Sequence, residues 1–349
     1  MNASETAKPK KHLVGRFFAF IGVTLLCLVV SLLGMIWVLE RGPSPTVSAM
    51  FTQSVRETSA IRWISNLFLT DEELAQYKSA STEDIVTESI NTSLIHIEKA
   101  AEVPSNTQTP KESVQLIDIA EGTCKGKLLI VSDPKQVILG TSDEFVKQPG
   151  LQLTDMVAKY NGIAGINAGG FNDENGTGNG GIPQGVVITN GEIAYGNEYT
   201  PYHLVGLDKD GILHVGSMSG KDAVDLGIQW AVSFITHDGL ASSLIINGEI
   251  QRQNLGSGVN PRTAIGQRDD GALLLLVLDG RSINTLGATL DDVVDIMLEY
   301  GAVNAGNLDG GSSSVMVYGG EIINHCASVT GPRRIPTGFI VLEEGAQNG

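Results

Sequence analysis

Short apolar segments that end in Asn-Gly, Asp-Gly or Gly-Gly recur through the second half of this sequence. These pairs stand at Asn190-Gly191, Asp210-Gly211, Asn247-Gly248, Asp270-Gly271 and Gly319-Gly320. Such a pair between two apolar runs is the strongest local signal of a β-hairpin, because both residues tolerate positive φ. Helices are predicted at Leu153–Tyr160 and at Thr289–Tyr300, where Thr289 is the expected N-cap. Many hairpins and few helices predict an α+β fold with mixed, largely antiparallel sheets.

The first strands of this fold are expected from about Val114 onward. The runs LLIVSDP and QVILGT, within Leu128–Thr141, predict two strands joined by a hairpin turn at Asp133-Pro134. We therefore place the folded domain at residues 113–349.

An apolar run at Val14–Leu39 precedes this domain and predicts one transmembrane helix. It exceeds the roughly 20 residues that a helix needs to cross a bilayer. Lys8, Lys10 and Lys11 precede the run and Arg16 lies at its start, whereas Arg41 follows it. The positive-inside rule then predicts a cytoplasmic tail at residues 1–13, a signal anchor at 14–39 and an extracytoplasmic remainder. A cleavable signal peptide is the alternative, with Val47–Ala49 as its cleavage site.

Residues 40–112 are expected to form a juxtamembrane helical segment and a linker. Thr52–Tyr77 has helical spacing, and Thr70 has the pattern of an N-cap. This stretch is expected to lie on the membrane, on a partner or on the protein itself. Ser79–Glu112 is rich in Ser, Thr, Glu and Pro, which is typical of a flexible linker.

The net charge limits which partners the protein can bind, and the cysteines limit which disulfides it can form. The net charge of −16 argues against nucleic acid, since a nucleic-acid binder needs a cationic surface. Cys27 lies in the membrane run, and the predicted topology permits a disulfide between Cys124 and Cys326. Two free thiols fit the sequence equally well, because spacing does not show proximity.

Two glycine-rich polar turns carry the candidate active site. They are AGINAGGFND at Ala164–Asp173 and VNAGNLDGGSSSVMV at Val303–Val317. Asp309 is the leading catalytic candidate, because Gly310 and Gly311 leave its carboxylate unobstructed and can aim N–H groups at an anion. An aspartate that merely completes its own turn is the alternative.

Other polar residues open or close predicted strands. Arg262 follows a Gly/Ser loop and is expected either to clamp phosphate or to form a surface ion pair. Asp279 closes the apolar strand Ala272–Leu278, where a structural turn and a functional role are both open. A calcium site is a weaker expectation, with oxygen ligands from Asp173, Asn175 and Asn179.

Taken in order along the chain, these motifs resemble the phosphodiester glycosidase family. The resemblance covers about Val114 to Leu342 and lies in INAGGFND, GNGGIPQGVVITNGEI, NPRTAIG, LVLDGR, TLDDVVDIMLEYGAVNAGNLDGGSSS and PRRIPTGFIV. The sequence departs from the family pattern at Asn172, where a bulky residue is usual. It departs again at Ser312-Ser313, within a run that is usually Gly-Gly-Gly-Ser.

The resemblance implies hydrolysis of a sugar-1-phosphodiester in cell-envelope or exopolysaccharide metabolism, without a required cofactor. Asp309 would act as nucleophile or as base for water, Arg262 and the amides of the turns would hold the phosphate, and Asp279 would help to orient the sugar. The residues expected to contact substrate are Asn167, Gly170, Phe171, Thr263, Gly310, Gly311 and Ser312. A metal-assisted phosphodiesterase or phosphotransferase acting on cell-wall polymers, and a non-catalytic module that binds envelope glycans, are the alternatives.

Overall fold

The computed structural model describes residues 11–58, 61–77, 89–97, 113–173, 178–234, 242–251, 257–280, 282, 285–328 and 331–345. Within these residues the α-helices are α1 (Lys11–Arg41), α2 (Pro45–Arg56), α3 (Asp71–Gln76), α4 (Leu153–Lys159), α5 (Gly220–Leu226) and α6 (Leu290–Glu299). The strands are β1 (Val114–Glu121), β2 (Cys124–Val131), β3 (Val137–Thr141), β4 (Gly162–Asn167), β5 (Val187–Thr189), β6 (Glu192–Tyr195), β7 (Pro201–Asp208), β8 (Leu213–Ser219), β9 (Ile228–Ser233), β10 (Ser243–Ile246), β11 (Glu249–Ile250), β12 (Arg262–Arg268), β13 (Leu273–Leu278), β14 (Ala302–Asn307), β15 (Met316–Tyr318), β16 (Glu321–Ile322) and β17 (Thr337–Leu342).

The strands form three sheets, and this confirms the predicted α+β class. The largest has the order β1-β2-β13-β12-β14-β10-β11, the second β16-β15-β4-β17-β3, and the third β6-β5-β9-β7-β8. Neighbouring strands in these sheets pair antiparallel.

One hydrophobic core joins the inner faces of all three sheets. Fully buried Leu275 of the first sheet, Phe339 of the second and Val205 of the third belong to the same cluster. A helix covers each outer face: α6 packs on the first sheet, α4 on the second and α5 on the third. Side chains alternate along a strand, so neighbouring residues of a central strand reach different layers. Two-sided burial explains the unbroken apolar run of β13.

The predicted hairpins are present. Asn190-Gly191 joins β5 to β6, Asn247-Gly248 joins β10 to β11, and Gly319-Gly320 joins β15 to β16. Both residues of each pair have positive φ, as a type I′ turn requires. The Asp-Gly pairs lie in the turns β7–β8 and β12–β13, where Gly211 and Gly271 have positive φ but the aspartates do not.

The hairpin predicted at Asp133-Pro134 is wrong. Strands β2 and β3 on its two sides lie in different sheets, with β2 next to β13 and β3 next to β17. Asp133 instead caps a short 3₁₀ turn by accepting the Lys135 N–H at 2.9 Å. Aspartate followed by proline suits that capped turn as well as a hairpin, so local sequence does not separate the two.

Helices α4 and α6 confirm the predicted helical segments. Helix α6 begins after Thr289, whose hydroxyl accepts the Asp292 N–H at 3.1 Å while the Asp292 carboxylate accepts the Thr289 N–H at 2.7 Å. This reciprocal capping box explains why the helix starts there.

The N-terminal helix is long and apolar enough to cross a membrane. Within Gly15–Arg41 the most apolar 18 residues have a mean hydropathy of 2.6, and they are not buried against the protein. A signal sequence has the same properties, so length and composition leave both interpretations of this helix open.

Residues 89–97, which we expected to belong to a flexible linker, pack on the domain. The His96 N–H donates to Asp269 O at 2.6 Å, and Asn247 exchanges hydrogen bonds with this segment through its side chain. Ile95 is buried, and Ile97 lies against Gly271 at the β12–β13 turn. The rest of the predicted linker lies largely outside the described residues.

The central position of β13 leads to a stability prediction. Leu275→Ala should lower the free energy of unfolding by about 2–5 kcal/mol, because it removes buried apolar contacts and leaves a cavity. Leu116→Ala on edge strand β1 is the control, because that side chain is 37% exposed. Urea unfolding of the detergent-solubilised full chain measures both. Equal losses for the two variants would contradict a core centred on β13.

Candidate active site

Five strand ends meet at one place in the domain. Strands β4, β9 and β14 end there, and β12 and β17 begin there. Main-chain hydrogen bonds join the loops that continue from them: Ala168 N–H to Thr337 O at 3.2 Å, Gly170 N–H to Ser233 O at 3.1 Å, Leu308 N–H to Thr263 O at 2.9 Å and Asp309 N–H to Ala168 O at 3.0 Å. The two glycine-rich turns singled out in the sequence are therefore in direct contact.

The buried side chain of Asn167 joins three segments at this point. Its Nδ2 donates to Asp309 O at 2.5 Å, and its Oδ1 accepts from Thr263 Oγ1 at 2.9 Å and from the Val315 N–H at 3.1 Å. Leaving such buried groups unpaired costs free energy, so these bonds fix β12 against the Asp309 turn. Contact between Asn167 and substrate stays a prediction.

Thr263 faces the site. Its hydroxyl contacts both Asn167 and the Ser314 hydroxyl, the latter at 3.2 Å. The next residue along β12, Ala264, faces helix α6 on the other side of the sheet, as strand alternation requires.

Arg262 also lies on the side away from Asn167. Its Nε donates to Ala288 O at 3.0 Å, and its Nη2 donates to Gly258 O at 2.5 Å and to Glu57 Oε2 at 2.8 Å. The side chains of Arg262 and Glu57 are 6% and 8% exposed. The expectation of a surface ion pair is wrong, because the pair is buried. Phosphate binding by Arg262 stays a prediction. In this structure its guanidinium donates to the Glu57 carboxylate.

The Asp309 carboxyl group lies deep between the loops although the residue is partly exposed. Burial raises its pKa to about 7, against 3.8 for an ordinary aspartate. The neighbouring Asp173 charge raises the pKa further, whereas a hydrogen bond from Ser313, the Arg333 charge and the Gly310 N–H lower it. A carboxyl group of this kind can exchange a proton near neutral pH.

Arg333 is a site residue that the sequence reasoning missed. Its guanidinium forms two hydrogen bonds with the Asp173 carboxylate, at 2.5 and 2.8 Å, and donates to Gly178 O at 3.0 Å. It also stacks on Phe171, with 4.8 Å from Cζ to the ring centroid. The motif PRRIPTGFIV contains this residue, but the sequence alone does not say which of its two adjacent arginines points toward Asp309.

The three glycine amides that were expected to hold phosphate have protein acceptors in this structure, and phosphate binding by them stays a prediction. The Gly170 N–H donates to Ser233 O, the Gly311 N–H donates to Pro261 O, and the Gly310 N–H donates to the Asp309 carboxylate. Glycine is needed at position 170 for packing, because a Cβ there would lie 2.4 Å from Gln184 Oε1. Gly170 and Gly310 permit close packing of the turns, whereas Gly311 supplies a φ of +63°. Contact of the three glycines with substrate stays a prediction.

Asp279 and Ser312 belong to the adjoining loop layer. Asp279 accepts the His325 N–H at 2.9 Å, and burial raises its pKa despite that bond and one from Asn324. Asn324 in turn donates to Ser314 O at 3.2 Å, which connects this layer to the Asp309 turn. The catalytic role of Asp279 and the substrate contact of Ser312 stay predictions.

The proposed calcium ligands have other partners. Arg333 binds both carboxylate oxygens of Asp173, and Asn179 Oδ1 accepts the Gly181 N–H at 3.0 Å. Asn175 lies outside the described residues. Within the described residues, no three His, Cys, Asp or Glu side chains are grouped to hold a metal ion.

Among the same residues, Cys27, Cys124 and Cys326 are all free thiols.

The raised pKa of Asp309 leads to a prediction about stability. Between pH 4 and pH 7 the folded protein holds a proton that the unfolded chain has released, so this group makes stability fall as pH rises through that window. Asp309→Asn should remove this fall, which thermal unfolding of both proteins at several pH values measures. Asp155→Asn, at an exposed position of α4, is the control and should give a constant difference from the parent. A constant difference for Asp309→Asn as well would contradict the raised pKa.

Comparisons with known proteins agree with this architecture. A family model described as phosphodiester glycosidase matches residues 160–342. The catalytic domain of zebrafish N-acetylglucosamine-1-phosphodiester alpha-N-acetylglucosaminidase, solved as auto-inhibited by its pro-peptide, aligns with a TM-score of 0.54 and 22% identity. That alignment covers 70% of this chain and 87% of the zebrafish chain, and it supports the fold.

Two curated relatives match shorter parts of the sequence. The bovine N-acetylglucosamine-1-phosphodiester alpha-N-acetylglucosaminidase is 29% identical over 161 residues, which are 41% of this chain and 30% of the bovine protein. The SPbeta prophage-derived uncharacterized protein YomE of Bacillus subtilis is 46% identical over 66 residues, 19% of this chain and 10% of that protein. This chain therefore matches less than a third of either relative's length.

The family model covers more than half of the 349 residues. This protein belongs to the phosphodiester glycosidase family.

Proposed function

We propose that this protein hydrolyses a sugar-1-phosphodiester and that Asp309 carries the reaction. The observation that supports this most is the carboxyl group of Asp309, whose pKa is raised to about 7 and which sits beside the Arg333–Asp173 pair. The family and the name of the bovine relative favour the same bond type. An N-acetylglucosamine-1-phosphodiester is accordingly the first substrate to test.

The leaving group determines what the site has to do. Cleavage at the anomeric carbon releases a phosphate monoester, which is a weak base, so its departure needs little help from a general acid. The barrier lies in the positive charge that develops at the anomeric carbon, which a carboxylate stabilises or attacks. Asp309 acts as nucleophile or as base for water, and both roles need its ionised form.

Arg333 takes the role of phosphate ligand in this proposal. Three of its N–H contacts go to Asp173 and Gly178, and a guanidinium has five N–H groups. The remaining donors can bind a phosphate oxygen while Asp173 and Phe171 keep the guanidinium in place. Its charge also acts on Asp309, which connects phosphate binding to the reacting carboxyl group.

The N-terminal helix sets the proposed location. As a signal anchor, α1 holds the domain on the extracytoplasmic side of the cell membrane, with the lysine-rich N-terminus in the cytoplasm. There the enzyme would act on phosphate-linked sugars of the envelope or of exopolysaccharide.

Asp309→Asn should abolish turnover of a sugar-1-phosphodiester. In the parent protein, kcat/KM should rise with pH and level off above about pH 7, because the ionised carboxylate is the active form. Release of the free sugar, followed from pH 5 to pH 9, measures both effects. Asp155→Asn is the control and should retain the parent profile.

Retained activity in Asp309→Asn would remove Asp309 from the mechanism. Hydrolysis in ¹⁸O-labelled water identifies the bond that breaks. Label in the sugar indicates attack at the anomeric carbon, whereas label in the phosphate would contradict a reaction of Asp309 at that carbon.

Arg333→Lys should raise KM by about tenfold or more and change kcat less, because lysine does not reproduce the planar two-pronged contact. Arg334→Lys is a matched control, since Arg334 directs its Nη1 to Gly150 O at 3.2 Å instead. Initial rates over a range of substrate concentrations separate the two variants. An equal effect of both changes would argue against phosphate binding by Arg333.

A further inference from the structure

The juxtamembrane segment is joined to the domain by one buried carboxylate. Glu57 follows helix α2 and receives the Gly258 N–H on Oε1 at 2.8 Å. Its Oε2 accepts from Asn260 Nδ2 at 2.7 Å and from Arg262 Nη2 at 2.8 Å. A buried carboxylate with three donors is well satisfied, so this contact has one defined geometry.

The backbone around this contact is packed closely. Ser54 Oγ accepts the Val259 N–H at 2.8 Å. A Cβ at Gly258 would lie 2.2 Å from the Ser54 nitrogen, so the α2 backbone lies directly against this loop. Ser54 and Glu57, in the segment that was expected to connect membrane and domain, thus pack directly on the folded domain.

The residues that hold Glu57 flank the residue that holds the Asp309 turn. Pro261 lies between Asn260 and Arg262, and its carbonyl oxygen accepts the Gly311 N–H at 2.9 Å. The same carbonyl oxygen is 2.8 Å from the position of a Cβ at Gly310. A shift of this short segment would therefore move the turn that carries the Asp309 carboxyl group.

We propose that Glu57 is a positioning residue for Asp309, acting through the segment Asn260–Arg262. For its catalytic consequence this inference rests on the proposed function. The membrane-proximal segment then contributes to the geometry of the active site as well as to attachment. An active site loses rate when its groups are displaced by about an ångström.

Glu57→Gln is the test, because it changes one atom of the contact. An amide NH₂ would replace an oxygen at the position that faces two donors or at the one that faces the Gly258 N–H, so at least one hydrogen bond becomes a donor–donor contact. In the full-length protein, kcat should fall about tenfold while KM stays within about twofold. The pH at which kcat/KM levels off should also move, because Asp309 would sit differently relative to Ser313, Asp173 and Arg333.

A second readout needs no substrate. The Cys326 thiol lies 3.9 Å from Ser312 O in the loop after Asp309 and is partly exposed. Its rate of labelling by a maleimide, in a Cys27→Ser background, reports the order of this loop. Cys124 is buried and serves as the unreactive reference. Labelling of Cys326 should be about tenfold faster in Glu57→Gln.

Two further variants complete the experiment. Glu73→Gln is the matched control, because Glu73 also pairs with an arginine, Arg41 at 2.7 Å, but both partners precede the domain. It should leave labelling and kcat unchanged. Glu57→Gln with Arg262→Gln removes both charges and restores a donor–acceptor match, so it should recover part of the loss. If the single variant does not fold, this double variant is labelled and assayed in its place.

The outcomes separate this inference from the proposed function. Unchanged Cys326 labelling in Glu57→Gln overturns the inference, whether or not kcat falls. Equal effects of Glu57→Gln and Glu73→Gln also overturn it. If the parent protein hydrolyses no sugar-1-phosphodiester, the proposed function fails, and the labelling experiment still decides whether Glu57 positions the Asp309 loop.

Discussion

The structure of the site depends on the hydrogen bonds of one buried amide. Asn167 ends β4 and binds the backbone of Asp309, the hydroxyl of Thr263 and the N–H of Val315. These partners lie about a hundred residues or more after Asn167 in the sequence. A side-chain amide can do this because it carries donors and acceptors on a short stem. The loops around Asp309 are thereby held as one unit although each of them is rich in glycine.

Much of the fold could be predicted from local sequence. Hairpins follow from Asn-Gly and Asp-Gly pairs, and α6 follows from the capping pattern at Thr289, since both depend on neighbouring residues. Assignment of strands to sheets depends on distant partners. For this reason Asp133-Pro134 predicts a hairpin turn although β2 and β3 enter different sheets. The packing of residues 89–97 escapes prediction for a similar reason, because their polar composition conceals the contribution of Ile95.

The candidate site was predicted in part. Asn167, Thr263 and Asp309, which the resemblance assigned to one site, are joined by hydrogen bonds. Arg262 and Arg333 show what local sequence does not determine. Each arginine follows a proline in a polar loop, and only the fold determines that Arg262 turns toward Glu57 while Arg333 turns toward Asp309. The raised pKa of Asp309 could not be predicted either, because the loops that bury its carboxyl group come from distant parts of the chain.

The packing of residues 89–97 has a practical consequence for work with soluble fragments. This segment covers the turns β10–β11 and β12–β13 and contributes Ile90 and Ile95 to the packed interior. In a truncated protein that starts near residue 110, the apolar surface on which these side chains pack would be exposed to water, which favours aggregation. Expression from a start at residue 42 or 43 keeps this cover and the Glu57 contact, and omits the apolar helix α1.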